Sequence, residues 1–429
     1  MRLLVSTVIL ISAVYYVTFH CSHYLNDVKI EIDIYSGKPK VSSVTCHSCS
    51  DHLKCCQFEN LYYFPYEQSF VFVLHETSRI YGIKNLEEFN SLSVSSIENH
   101  TNLVLPLAFM TIENKKLSYI REVTEPVFLM HRFKPDNIMH VLHDDLLPLF
   151  ARLDAVCIDD KDCFENFRLA FIDPLANDPR TYSMDSLYQL FSKEEILKPR
   201  EPVLYLKALT GLPSDTVGYQ YGFKRTQGPL PLPPHARSIF QRFATVVRAK
   251  LQVVPGINTL KRAVYIQRSE SRRILNEKEL QQFILKAYKA RNLKVEMWAL
   301  NLKVTKDLTD IISVLSEADL IFGMHGAAMY LAALFCKPGS ILVEIFPYGI
   351  QASVVSPIQS LAAIPNSWFT YGIWENPDPE ATVPPDVNAH PLLGGLSHLS
   401  EEEQQSARES VPVPAVQCCH NATYLYRMF

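Results

Sequence analysis

Residues 319–346 read DLIFGMHGAAMYLAALFCKPGSILVEIF, and this stretch decides the fold. The apolar run at 319–323 ends at a glycine, which predicts a short buried strand. A helix is expected over 327–335, a turn at Lys337-Pro338-Gly339, and a second strand over 340–346. The same alternation runs upstream. Residues 263–267 (AVYIQ) predict a strand, and a helix is expected from Asn276, with Glu279 three positions on as in a capping box. Residues 293–300 (LKVEMWAL) predict another strand and about 305–317 another helix. Strands alternating with helices of this length imply a parallel sheet covered on both faces.

The N-terminal part carries a less regular version of the pattern. Strands are expected at 69–74 (SFVFVL), 103–110, 126–130 (PVFLM), 167–172 (FRLAFI) and 202–206 (PVLYL), with a helical piece near 184–192. Over Asn137–Ala155 the apolar residues Ile138, Val141, Leu142, Leu149 and Leu153 fall at helical spacing, and Pro148 is expected to kink or divide that helix. The run PLPLPP at 229–234 marks a linker, followed by a helix over roughly 235–252. The expected fold class is therefore α/β, with two Rossmann-like domains facing a cleft at the carboxyl ends of their strands. The division is an anchor over 1–20, a cysteine-rich stem over 21–60, an N-terminal domain over 61–234, a C-terminal domain over 235–398, and a helix with a cysteine-containing tail over 399–429.

Composition narrows the class. With 429 residues, 48% of them hydrophobic, the chain can bury a sizeable core. A formal net charge of −4 with scattered basic residues argues against a nucleic-acid binder, which needs a clustered basic face. Met1-Arg2 precedes an apolar run from Leu3 to Phe19 that ends in aromatic residues without a small-residue cleavage pattern. That favours an uncleaved type II membrane anchor over a cleaved signal, since a spanning helix needs roughly 17 or more apolar residues. Ten cysteines and the sequons at Asn99 and Asn421 fit a luminal chain. Cys46, Cys49, Cys55 and Cys56 read as structural disulfides rather than half a zinc site, with partners that spacing alone does not assign. Cys157 and Cys163 are expected to close a short acidic loop, Cys418-Cys419 to tie the tail, and Cys336 to be a buried free thiol.

Four constellations could carry chemistry. Gly323-Met324-His325-Gly326-Ala327-Ala328 sits where a strand gives way to a helix, so backbone N–H groups and the helix dipole would face an anion. Arg268-Ser269-Glu270-Ser271-Arg272-Arg273 follows strand 263–267, where Arg268 and Arg272 could fork onto a diphosphate. Glu344, in strand 340–346, could accept both hydroxyls of a ribose. The fourth set lies in RFKPDNIMHVLHDDLLPLF (132–150): Arg132, Asn137 and His140 as residues of an acceptor-side cleft, and His143, Asp144 and Asp145 as candidate catalytic groups. Neither G-x-G-x-x-G nor a P-loop lysine pattern occurs, which leaves a nucleotide sugar as a fitting ligand. Asp160-Lys161-Asp162 matches a metal-diphosphate D-x-D pattern but lies between two cysteines in an expected surface loop, so no metal site is assigned.

These motifs resemble glycosyltransferase family 61. The resemblance runs from about residue 60 to the end, through RFKPDNIMHVLHDDLLPLF (132–150), YQYGF (219–223), QGP (227–229), RRILNE (272–277), MHGA (324–327), VEIFPY (343–348) and CCHNATYLYR (418–427). It implies a GT-B fold, UDP-N-acetylglucosamine as donor, an inverting transfer, residence in the endoplasmic reticulum membrane, and an O-mannosylated, dystroglycan-like glycoprotein as acceptor. It leaves room for a homodimer, for transfer to EGF-like domains instead, and for a sugar-binding pseudoenzyme. Family members of this kind carry a fibronectin type III module after the catalytic region, whereas this sequence stops at Phe429. On this reading Arg268, Arg272, His325 and the Gly326–Ala327 backbone hold the diphosphate, and Glu344 holds the ribose. Asp144 takes the acceptor proton, with His143 as the alternative base and Asp145 as a structural partner. No cofactor is required.

Overall fold

The computed structural model describes residues 39–50, 53–89, 92, 94–96, 107–111, 120–156, 166–221, 228–253, 260–269, 272–347, 350–378, 381–383, 402 and 425–426. The expected anchor, both sequons, the 157–163 loop with its Asp160 and Asp162, and Cys418-Cys419 lie outside the described residues. Among the described residues no helix is long and apolar enough to cross a membrane.

The chain is a mixed α/β protein, and among the described residues two large sheets dominate. The first holds β1 (Ser43–Ser50), β2 (Leu53–Phe64), β3 (Ser69–Leu74), β4 (Ile80–Tyr81), β5 (Leu107–Thr111), β6 (Arg121–Val123), β7 (Val127–Met130), β8 (Arg168–Phe171) and β9 (Val203–Thr210). Its order is β4-β1-β2-β9-β7-β8, with β3 and β5 continuing from β2 and β6 alongside β9. β7, β8 and β9 run parallel, but β1–β2, β2–β3 and β2–β9 are antiparallel. This sheet is therefore mixed and not the parallel one a Rossmann-like unit would have. The stem expected over 21–60 is also corrected. Ser43–Phe64 form a hairpin inside the sheet, stapled by Cys46–Cys56 and Cys49–Cys55, with Val44, Phe58 and Leu61 buried. Four closely spaced cysteines read as linker, but their β-branched and aromatic neighbours had somewhere to pack.

After a two-stranded ribbon, β10 (Tyr219–Gln220) and β11 (Gly228–Pro229), the second sheet begins. It holds β12 (Lys261–Ile266), β14 (Val295–Leu300), β15 (Leu320–Met324), β16 (Ser340–Phe346) and β17 (Phe369–Glu375), all parallel, in the order β14-β12-β15-β16-β17. Between β12 and β14 in the chain, the short β13 (Arg273–Ile274) pairs with Leu425–Tyr426. The β15 strand, the Ala327–Phe335 helix and β16 fall where the sequence predicts them. β17 is an edge strand that the sequence reading did not place. Val264, Ile266, Ile321 and Leu342 face the helices Ala236–Lys250, Leu308–Glu317 and Ala327–Phe335. Ala263, Tyr265, Phe322 and Ile345 face the other way, under Leu280 and Ile284 of the Glu277–Lys289 helix.

One hydrophobic core joins the two sheets. Phe128 and Leu169 of the first and Val264 and Ile321 of the second belong to the same cluster, bridged by Leu146, Leu149 and Phe150 of the 138–156 helix. That helix is continuous but not uniform: Ile138–His140 is α, Val141–Leu146 is π, and Leu147–Val156 is α again. The reason is Pro148, which has no N–H for the carbonyl of Asp144. The Leu147 N–H reaches back five residues to Leu142, and the freed Asp144 carbonyl accepts from Ser96 Oγ at 2.6 Å. The proline thus re-registers the helix without breaking it, and π turns of this kind occur frequently at functional sites.

Candidate functional site

In a parallel sheet whose order runs 2-1-3-4-5, the crevice opens where the order reverses, between the first and third strands. Here those strands are β12 and β15. The loop after β12 carries Arg268 and Arg272; the turn after β15 carries His325, Gly326 and the start of the Ala327–Phe335 helix. Arg268, Arg272, His325, Gly326 and Ala327 line one cleft of about 1300 Å³. Its opposite wall comes from the first half, through Phe133, Lys134, residues 136–140, Ser183, Met184, Ser186, Leu187, Tyr219 and Tyr221. The two walls meet because the first turn of the 138–156 helix packs on the Ala327–Phe335 helix.

The donor-facing wall is built for an anion. Gly326 has φ 148°, a conformation that side-chain-bearing residues rarely adopt, and a Cβ there would lie 2.5 Å from Arg268 Nη1 and 3.2 Å from Arg272 Nη2. Both guanidinium groups therefore crowd over the positive end of the Ala327–Phe335 helix, where Ala327 presents first-turn N–H groups. Arg272 itself is left-handed, φ 53°, immediately before the β13 pairing. Lys134, Lys303 and Lys306 add positive charge to the walls, against Asp136 and Glu344.

His325 and Glu344 form a dyad. The His325 N–H donates to the Ile345 carbonyl, the ring stacks on Phe346 at 4.9 Å, and Nδ1 lies 2.7 Å from Glu344 Oε1. Burial pushes the imidazole down, the two arginines push it further, and Glu344 only partly opposes them, so its net shift is below the usual histidine value. The neutral ring donates Nδ1–H to Glu344 and turns Nε2 away from it. Glu344 is already committed within the protein: it is buried, and its other oxygen accepts from Ser356 Oγ at 2.7 Å and from the Tyr371 hydroxyl. The ribose role expected of Glu344 is thereby corrected. A strand residue facing a cleft looks available in sequence, but here the fold surrounds it with donors, and it holds the orientation of His325.

The second dyad lies on the acceptor-side wall. His140 lines the cleft, and its Nδ1 lies 2.6 Å from Asp144 Oδ2. Asp144 is fully buried and also accepts from His143 Nδ1 at 2.5 Å and from the Tyr221 hydroxyl at 2.8 Å. Burial alone would raise this carboxyl; His140 and His143 outweigh it and hold it well below the usual carboxylate range. With three donors around it, Asp144 is an ionised orienting group behind His140, not a group that meets substrate. His143 is excluded differently. Its Nε2 accepts the Gly218 N–H at 3.0 Å, so its proton sits on Nδ1, and the ring is buried and neutral. Asp145 is buried too and accepts from Tyr188 at 2.5 Å, its carboxyl raised well above the usual range by burial. The sequence placed the base among these three, but none of them lines the cleft; the residue that does is His140. The signal was present in the i,i+4 spacing of His140 and Asp144, which puts two side chains on one helix face.

Two further acceptor-side residues separate. Asn137 lines the cleft and caps the helix, Oδ1 accepting from Met139 N at 3.0 Å. Arg132 does not reach the cleft. It is buried, forked onto Asp173 through Nε and Nη2 at 2.7 and 3.1 Å, with its guanidinium 3.7 Å from the Phe171 ring centroid. The acceptor-side cleft role expected for Arg132 is therefore corrected: its partner is the buried Asp173.

Comparison with known proteins is consistent with this geometry. Residues 138–343 match the family model described as glycosyltransferase 61, a span that contains the His140–Asp144 dyad, both arginines and His325 and ends one residue before Glu344. A protein from Tetraodon nigroviridis named protein O-linked-mannose beta-1,4-N-acetylglucosaminyltransferase 2 is 30% identical over 395 residues, covering 88% of this chain and 64% of the relative. The protein of the same name from Homo sapiens is 28% identical over 404 residues, with the same coverage, 88% and 64%. The chain thus spans under two thirds of the length of these relatives. Among solved structures, a family 9 glycosyltransferase from Veillonella parvula DSM 2008 aligns over 70% of this chain and 97% of its own, at 10% identity and a TM-score of 0.27, a likeness too slight to bear on the fold.

Proposed function

We propose, from the match of residues 138–343 to the glycosyltransferase 61 model, that the chain is an inverting transferase of that family moving N-acetylglucosamine from UDP-N-acetylglucosamine to O-linked mannose of a glycoprotein. The observation that carries this reading is one cleft with an anion cradle on one wall and a histidine–aspartate dyad on the other. In this arrangement Arg268, Arg272, His325 and the N–H groups after Gly326 bind the diphosphate. They offset the charge that grows on it as the bond to the anomeric carbon breaks, a kind of stabilisation that is often the largest catalytic contribution. His140 Nε2 takes the proton of the attacking mannose hydroxyl, whose oxygen reaches the anomeric carbon from the face opposite UDP. Asp144 holds the imidazole through Nδ1–H and stabilises the imidazolium that forms.

The reading brings with it a GT-B-like pair of domains closing on the cleft, a luminal position behind a type II anchor in the endoplasmic reticulum membrane, a glycoprotein acceptor, and the option of a homodimer. It requires no metal, because two arginines and a helix terminus do the neutralising. Transfer from UDP-N-acetylglucosamine to an O-mannosyl peptide should proceed undiminished in EDTA. Absence of any transfer, or transfer that EDTA abolishes and manganese restores, would reject it.

The His325–Glu344 dyad adds a pH dependence. A neutral His325 cannot donate from Nε2, but a bound diphosphate favours the imidazolium, so binding should take up a proton. Affinity for UDP-N-acetylglucosamine, a diphosphate diester of constant charge over this range, should therefore rise as pH falls from about 8 to about 6. Calorimetry in buffers of different ionisation enthalpy measures the uptake. His325→Gln should abolish it; equal uptake in that variant would remove His325 from the site.

A further inference from the structure

The two dyads are not independent. Ser356, which donates to Glu344 behind His325, stands one turn before Ser360 in the short Ile358–Ala362 helix. Ser360 Oγ donates to the Gly218 carbonyl at 2.5 Å, and the Gly218 N–H donates to His143 Nε2 at 3.0 Å. Three residues further along, the Tyr221 hydroxyl donates to Asp144, while the Tyr219 hydroxyl donates to the Val354 carbonyl at 3.1 Å. The segment 218–221 is thus held by the donor half on one side and holds both partners of the base on the other. Gly218 has no room for a side chain: a Cβ would lie 2.9 Å from Ser360 Cβ and 3.2 Å from Leu232 Cδ1.

We propose that Gly218, Ser360 and His143 are positioning residues through which the donor half fixes the orientation of His140. The physical content is a tautomer lock. The Gly218 N–H occupies His143 Nε2, which forces the His143 proton onto Nδ1 and toward Asp144. Asp144, with His143 and Tyr221 already donating to it, offers Oδ2 to His140 Nδ1–H, and that leaves His140 Nε2 as the basic atom. The groups facing Asp144 are His140 and His143 on its own helix, Tyr221 from the 218–221 segment and Tyr330 from the Ala327–Phe335 helix, with Asp145 next in the chain. Taking His143 away removes one neutral donor, so the carboxylate holds a proton on His140 more firmly.

The inference rests on the reading of His140 as base, and the experiment separates the two. With the full chain, UDP-N-acetylglucosamine and an O-mannosyl peptide, His143→Leu should lower kcat by about 10²-fold, the scale of a misplaced catalytic group. It should also move the acid limb of the kcat/KM profile to higher pH while UDP affinity stays parental. His143→Asn, whose amide N–H can replace Nδ1–H, should return kcat to within about tenfold of the parent. Ser360→Ala should move the limb in the same direction with a kcat loss of roughly tenfold, about one hydrogen bond, and it decides the matter if His143→Leu does not fold. An unmoved acid limb, equal losses in the leucine and asparagine variants, or a parental Ser360→Ala overturns the inference. Parental transfer by His140→Gln overturns the underlying reading instead.

Discussion

Replacing His140 by glutamine should lower the rate of transfer by about 10²–10⁴-fold, the usual contribution of a positioned general base, while UDP binds as in the parent. Glutamine keeps a donor within reach of Asp144 but has no nitrogen that can accept a proton. The fall should appear in kcat and kcat/KM together, since the proton moves only in the transition state. Asp144→Asn should fall into the same range for a different reason: an amide cannot accept from three donors, so His140 loses the tautomer that leaves Nε2 basic. Asp144 does not line the cleft, and UDP affinity should be untouched in both variants. Steady-state rates and calorimetric UDP binding of the two variants check this. Near-parental transfer by His140→Gln would place the base elsewhere, and a matching loss of UDP affinity would move His140 to the donor site.

The second large effect concerns stability. Arg132→Met should cost about 3–5 kcal/mol of folding free energy, because it strands Asp173 as an uncompensated buried charge. The guanidinium is held from two directions, by the forked bonds to Asp173 and by the Phe171 face, with Asp185 at 3.6 Å beyond. Pairing Arg132→Met with Asp173→Asn should recover part of the loss, since the second change removes the stranded charge. Urea unfolding of the parent, the two single variants and the double variant measures it. If Arg132→Met kept parental stability and raised the KM for the acceptor, Arg132 would be a cleft residue after all.

Much of the second sheet was legible in the chain because it is locally encoded. β15, the Ala327–Phe335 helix and β16 are short apolar runs punctuated by Gly326 and Lys337-Pro338-Gly339, and each element's identity depends on a few neighbours. The first sheet was harder. β1 and β2 are stabilised by partners over a hundred residues away, as in the register Cys56↔Thr210, so a local reading took them for a stem. The edge strand β17 pairs with β16 alone and alternates weakly in burial, which weakens its pattern. Pro148 was legible as a disturbance but not as a π turn, since the rescue of the Asp144 carbonyl comes from Ser96.

Sequence by itself determined which residue types gather at which strand ends: arginines after β12, histidine and glycine after β15, and a histidine- and aspartate-rich helix in the first half. Strand ends of a parallel sheet converge on one edge, so composition at those ends is enough to name the candidates. Only the tertiary structure decided their roles. Whether a carboxylate serves a ligand or a neighbour depends on how many donors the fold places around it. Glu344 and Asp144 are surrounded by donors from Ser356, Tyr371, His140, His143 and Tyr221, most of them remote in sequence. That enclosure turns both acids into supports and leaves the histidines they hold, His325 and His140, facing the cleft.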